Sequence, residues 1–147
     1  VVQRVSEAAV AVEGREVARI GRGFLVLAGF KRGDTELTLQ WMARKILSLR
    51  VFENAEGRMS DALDAVEGRV LVVSQFTLYG DVQKGARPSF DDSAAPDDAR
   101  VLYERFVALL REALPGRVAT GEFQAHMQVS LVNDGPVTIL VEKEAGA

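Results

Sequence analysis

The chain has no cysteine and a single histidine, His126. The missing thiols exclude disulfides, thiolate zinc sites and cysteine nucleophiles. One imidazole leaves little for serine–histidine–aspartate chemistry or for a multi-histidine metal centre. His126 falls in an expected strand with Gln128 and Ser130 on the same face, which suits a surface histidine. No run is long and apolar enough to span a membrane, and no signal-peptide pattern is visible, since Val1-Val2-Gln3-Arg4 enters a strand pattern directly. A cytoplasmic setting is expected, with no cofactor, metal or membrane partner. The net charge of −3 falls short of the basic excess that coats nucleic acid. A local grip at Lys31-Arg32, Arg44-Lys45 or Lys84 with Arg87 stays open, although solvated surface pairs explain each. Chemistry, if present, must come from hydroxyls, amides and main-chain groups.

What is there reads as one domain over residues 1–147, without repeats or a linker. Val1 to Val12, Glu16 to Ile20 and Phe24 to Phe30 read as strands around turns at Glu13-Gly14 and Gly21-Arg22-Gly23, an expected three-stranded meander. The glycines of the second turn lack the third of a dinucleotide loop. Asp34 is the expected N-cap of a helix whose buried stripe is Leu39, Met42, Ile46 and Leu49. A short strand at Arg50 to Glu53 and a polar loop through Gly57 follow. The continuous apolar run Val70 to Val73 predicts a central strand. Pro96, Asp97 and Asp98 open a second helix with the stripe Leu102, Phe106, Leu109 and Ala113, ended by Pro115-Gly116. Asp91-Asp92 and Asp97-Asp98 are better explained as loop and helix-start charges than as metal ligands. Val118 to Thr120 is a short strand. His126 to Val132 and Val137 to Glu142 read as a pair joined by a turn at Asn133-Asp134-Gly135-Pro136. The expected class is α/β or α+β, with mainly antiparallel pairing and two main helices.

Two segments stand out. Ser74-Gln75-Phe76-Thr77-Leu78 puts three polar residues at the end of an apolar strand. In a regular strand Ser74 and Phe76 share one face and Gln75 and Thr77 the other, so polar groups emerge on both sides where sites often lie. A plain strand end running into Tyr79-Gly80-Asp81 is the better account of these residues taken alone. Asn133-Asp134-Gly135-Pro136 is likewise covered by a turn, while Gly135 also permits close approach of main-chain carbonyls to a ligand.

Together the segments change the weighing. With Val2-Gln3-Arg4-Val5, Lys84-Gly85, Arg87-Pro88-Ser89-Phe90, Gly121-Glu122-Phe123, Ala125, Met127 and Asn133-Asp134-Gly135-Pro136-Val137-Thr138, the chain closely resembles the D-aminoacyl-tRNA deacylases over essentially its whole length. The resemblance implies their barrel-like fold and hydrolysis of the ester between a D-amino acid and the 3′-terminal adenosine of tRNA. It implies a homodimer with a cross-subunit site: Ser74, Gln75, Phe76 and Thr77 from one copy, and Gly135-Pro136, with a cis peptide, from the other. Phe123, Met127 and Ala99 are implied as lining residues, and Arg4 as the support of the Gly-Pro element. Two alternatives remain on the residues: a small acyl-ester or thioester hydrolase using the same hydroxyls, and a non-catalytic module that binds the tRNA acceptor end.

Overall fold

The computed structural model describes residues 1–146; Ala147, the end of the expected domain, lies outside the described residues. The elements are β1 (Val2–Val12), β2 (Arg15–Ile20), β3 (Gly23–Ala28), α1 (Glu36–Ser48), β4 (Phe52–Glu53), β5 (Met59–Asp61), β6 (Arg69–Ser74), α2 (Pro96–Ala113), β7 (Val118–Thr120) and β8 (Gln128–Ile139). Short 3-10 turns occupy Leu63–Val66 and Phe76–Tyr79.

β1 organises the sheet because it is long enough to take several partners. Ala8 lies opposite Ile20 and Val5 opposite Gly23, the same step along both chains, so β3 continues the line of β2 on one side of β1. This corrects the expected meander, in which β3 would fold back on β2. Gly23 does not serve a turn; a Cβ there would lie 1.8 Å from the Arg69 carbonyl oxygen, so glycine lets the start of β6 press against the strand. β8 pairs antiparallel with β1, from Val2 opposite Ile139 to Ala11 opposite Gln128. β6 runs parallel to β3, and β7 parallel to β6. The nearly closed, barrel-like sheet is therefore mixed: antiparallel pairing predominates around β1, as expected, while β3, β6 and β7 run parallel. The connections explain why: α1 lies between β3 and β6 and α2 between β6 and β7, and crossover helices join parallel neighbours.

Alternation along the strands builds two cores. Phe24, Val26, Val70 and Val72 face the helices with Phe106 and Leu110. Leu25, Leu71 and Val73 face the interior with Val5, Ala8 and Val10. β6 is thus buried on both faces, which is why it reads as an unbroken apolar run. α1 begins one residue later than expected: Thr35 is its N-cap, with Thr35 N donating to Thr38 Oγ1 at 2.8 Å, while Asp34 instead accepts from Lys31 N at 2.8 Å. Leu49 falls beyond α1 as its C-cap. The buried face of α2 is Ala99, Tyr103, Phe106, Val107 and Leu110, rotated from the expected stripe; Ala113 is exposed. Leucines at both 109 and 110 leave the phase of the stripe open, and tertiary packing selects the face on which Phe30 meets Tyr103 and Phe106 edge-on, with ring centroids 6.3 and 6.2 Å apart. Leu110 is fully buried between α2 and the sheet. Leu110→Ala is expected to lower unfolding free energy by about 2–5 kcal/mol in a urea titration. No described helix is long and apolar enough to cross a membrane.

Candidate functional site

The Ser74–Leu78 segment is not a continued strand. β6 ends at Ser74 because its neighbour β3 ends at Ala28; Gln75 N makes the last rung to Ala28 O at 2.8 Å. Beyond it the chain folds onto Gly29, where a Cβ would lie 3.1 Å from Gln75 O and 3.2 Å from the Leu78 Cβ. With no further ladder partner, Phe76–Tyr79 closes into a 3-10 turn, held by Leu78 N to Gln75 O and Gly80 N to Thr77 O. The two-faced alternation expected from sequence therefore stops at Ser74. Phe76 and Thr77 are pushed to the surface, Phe76 at 55% exposure, while Ser74 and Gln75 are half-buried. The N–H groups of Phe76 and Thr77 lie ahead of the first internal bond of the turn. The Gln75 side-chain amide donates to Thr77 Oγ1, so the hydroxyl is oriented by an amide and not by a base. His126 is exposed and precedes β8 instead of lying within it.

Around the end of β6 stand residues of α2 and of the β7–β8 connection. Val72 O accepts from Gly121 N at 3.0 Å and from the Tyr103 hydroxyl at 3.1 Å. Burial pushes the Tyr103 hydroxyl above the ordinary phenol range, so it stays protonated and donating. Phe123 stacks on Tyr103, with centroids 5.6 Å apart, and lies under the Arg100 guanidinium. Ala99 is buried in the same core, and the Met127 sulfur fills the space that a Cβ on Gly121 would take, 2.7 Å away. Ala99 and Phe123 thus pack in the helix-side core, while Met127 packs against the inner core beside Gly121. Behind the turn lies an apolar cavity of about 360 Å³, bordered by Leu39, Leu78, Tyr79, Phe106 and Asp34. Burial raises both Asp34 and Tyr79 above their usual ranges.

Asn133-Asp134-Gly135-Pro136 is not a hairpin turn. β8 pairs with β1 on both sides of it: Asn133 lies opposite Val5 and Thr138 opposite Gln3. Two steps on β1 face five on β8, so the extra residues bulge outward from one continuous strand. The Asn133 side chain clamps the bulge by standing in for a strand partner. Its Oδ1 accepts from Val137 N at 2.7 Å, and its Nδ2 donates to Val137 O at 3.1 Å and to Thr138 Oγ1 at 3.0 Å. Arg4, only 7% exposed, supports the bulge from beneath: Nε donates to Asp134 O at 2.8 Å and Nη1 to Val51 O at 2.7 Å. Asp134, Gly135 and Pro136 are exposed, and the Gly135-Pro136 peptide is cis.

The two segments are therefore not neighbours along the sheet. One sits on β8 and the other at the end of β6, with β1 and β3 between them. Three strand spacings amount to about 14 Å. Sequence reasoning missed the Asn133 clamp, the Phe76–Phe90 ring contact at 5.0 Å and the donation from Tyr103 to Val72. An asparagine four residues before a valine carries no warning that its amide will mimic a strand. Among the described residues no cluster of three or more histidine, cysteine, aspartate or glutamate side chains could hold a metal ion.

Residues 1–142 match the family model described as D-Tyr-tRNA(Tyr) deacylase. The chain is 56% identical over 142 residues to the D-aminoacyl-tRNA deacylase of Thermotoga petrophila, covering 97% of this chain and 95% of that one. To the D-aminoacyl-tRNA deacylase of Geobacter sulfurreducens it is 53% identical over 146 residues, covering 99% and 95%. Among solved structures it is similar to the c-Myc DNA Unwinding Element Binding Protein, with a TM-score of 0.94 and 43% identity over 98% of this chain and 97% of that one.

Proposed function

Since the chain belongs to the D-Tyr-tRNA(Tyr) deacylase family and is a hydrolase of the aminoacyl-tRNA ester, we propose that it judges the hand of the amino acid with main chain donated by a second copy. The supporting observation is the β8 bulge. Its main chain is exposed, clamped by Asn133 and Arg4, and lies away from Ser74–Thr77 of its own sheet. A twofold partner brings the bulge of one copy to the 3-10 turn of the other. Val129 and Val132, exposed apolar residues of β8, fit burial against that partner.

The selection follows from stereochemistry. With the α-amino group and ester carbonyl pinned, the side chain of one enantiomer points where the hydrogen of the other points. Carbonyl oxygens beside Gly135 and Pro136, unshielded by side chain, form a wall that admits hydrogen and rejects anything larger. Nothing in this scheme touches the accepted side chain, so many D-amino acids pass. Glycyl-tRNA, lacking a side chain, is not fully rejected.

The chemical step needs no side-chain base. Thr77 Oγ1 receives a hydrogen bond from an amide, and an unassisted hydroxyl is a poor nucleophile at neutral pH. Main-chain N–H groups at the start of the turn, Phe76 and Thr77, are suited to steady the developing oxyanion. The vicinal 2′-hydroxyl of the terminal ribose assists the attacking water. Ser74 and Gln75 position the substrate, with Phe123, Met127 and Ala99 lining the pocket and Arg4 holding the bulge element of its own chain, which that chain offers to its partner.

Paired deacylation of D- and L-tyrosyl-tRNA, made on one tRNA, tests the proposal. The D ester is expected to be hydrolysed and the L ester to decay at the enzyme-free rate; equal rates would refute chirality selection. Equal efficiency on a small D-tyrosine ester would point to a general ester hydrolase instead.

A further inference from the structure

Several cations around the site are committed. Lys31 pairs with Glu144 at 2.5 Å, Arg32 Nε donates to Asp91 O at 2.6 Å, and Arg100 covers Phe123. Lys84 and Arg87 differ: both are exposed, and among the described residues neither has a hydrogen bond, ion pair or ring contact. They sit on the loop 80–90, whose base is closed by Asp81 N to Ser89 O at 2.7 Å and Ser89 N to Asp81 O at 2.9 Å. That base is fastened to the candidate site. Phe90 packs on Phe76, Gly80 N donates to Thr77 O at 2.9 Å, and a Cβ on Gly80 would lie 3.0 Å from the Phe90 ring.

The tip of the loop, residues 82–89, has no acidic residue. Asp81 stays at the base, its carboxylate accepting from Gln83 N at 2.9 Å. Three steps along the chain separate Asp81 from Lys84, an extended reach of about 10 Å. A chain of net charge −3 offers tRNA no general attraction, so a polyanion needs a local positive feature beside the pocket.

We infer that loop 80–90 is a phosphate grip: Lys84 and Arg87 hold the sugar–phosphate backbone of the single-stranded acceptor end while its terminal ester lies at the Ser74–Thr77 turn. This rests on the deacylase function proposed above. Arginine suits phosphate through its planar fork and lysine as a point charge. The grip carries no sequence information and serves every tRNA alike.

The test compares the full chain with its Lys84→Gln/Arg87→Gln variant on D-tyrosyl-tRNA between 50 and 200 mM salt. Binding of uncharged tRNA is followed in parallel by fluorescence anisotropy. Two phosphate contacts to a single strand carry a salt slope of about 1.4, so the wild-type advantage is expected to shrink about sevenfold across that range. The D-tyrosyl ester of adenosine has no phosphate, and on it the ratio of the two proteins is expected not to vary with salt. A salt-independent ratio on tRNA, in turnover and in binding, would overturn the grip. So would the same salt response on the adenosine ester. A wild-type chain that binds tRNA with the expected slope difference but never cleaves the D ester would retain the grip and sink the deacylase reading alone.

Discussion

D-Tyrosyl-tRNA ending in 2′-deoxyadenosine is expected to be hydrolysed about 10²–10⁴-fold more slowly than the same substrate with its 2′-hydroxyl, the range in which one positioned acid–base group contributes. The reason lies in what surrounds Thr77. Its Oγ1 accepts from the Gln75 amide, which cannot take a proton, and the single histidine is exposed ahead of β8. The turn offers position and main-chain donors, both effective on a developing oxyanion, but no proton acceptor. In the proposed mechanism the proton relay arrives with the substrate: the vicinal ribose hydroxyl takes a proton from the attacking water as it passes its own to the departing 3′-oxygen. By the same logic Thr77→Ala is expected to stay within about tenfold of wild type, since removing an unactivated hydroxyl removes no nucleophile. Single-turnover rates on the two substrates, with circular dichroism to confirm folding, decide the matter. A folded Thr77→Ala protein with no activity, beside unimpaired cleavage of the deoxy substrate, would make Thr77 a covalent nucleophile.

Gly135→Ala is expected to cut D-tyrosyl-tRNA turnover on the order of 10²-fold, the scale of loss for a displacement near 1 Å, and to erode rejection of the L ester. The added Cβ would lie 2.8 Å from Val137 Cγ2, 3.0 Å from Val137 N and 3.1 Å from the Arg4 guanidinium, at a φ of +143° that side chains rarely adopt. Something in the bulge must move, and Arg4 is held by two carbonyls. The bulge is exposed and outside both cores, so the loss in stability is expected to be only about 1–3 kcal/mol. Asn133→Asp approaches the same element from its base: two amide donations disappear and a carboxylate faces the Val137 carbonyl. It is expected to lower the D-to-L rate ratio without touching Gly135. Stability changes in both variants with an intact D-to-L ratio would show that the bulge plays no part in chirality.

Much of the fold was legible because alternation and helical spacing are local properties. The run Val70 to Val73 announced a strand buried on both faces, and Pro96-Asp97-Asp98 announced the start of α2. Phase and pairing were less legible. Leu102 and Leu109 pointed to one face of α2, while packing against Phe30 and Val72 chose another. Gly21-Arg22-Gly23 resembled a hairpin turn, yet Gly23 serves the approach of Arg69. The candidate site was legible as two motifs and not as a shape. Nothing in Asn133 to Pro136 distinguished a turn between strands from a bulge within one, because the difference depends on β1 continuing to pair on both sides.

By itself the sequence determined both helices and most of the strands, the poverty of acid–base side chains and the family resemblance, since each depends on which residues stand where along the chain. Only the tertiary structure decided that β6 runs out of partner at Ala28 and throws Phe76 and Thr77 outward, and that Arg4 and Asn133 hold Gly135-Pro136 on a different strand. Those outcomes depend on which main-chain groups find partners from distant segments, and hydrogen-bond satisfaction across 130 residues leaves no mark in local pattern.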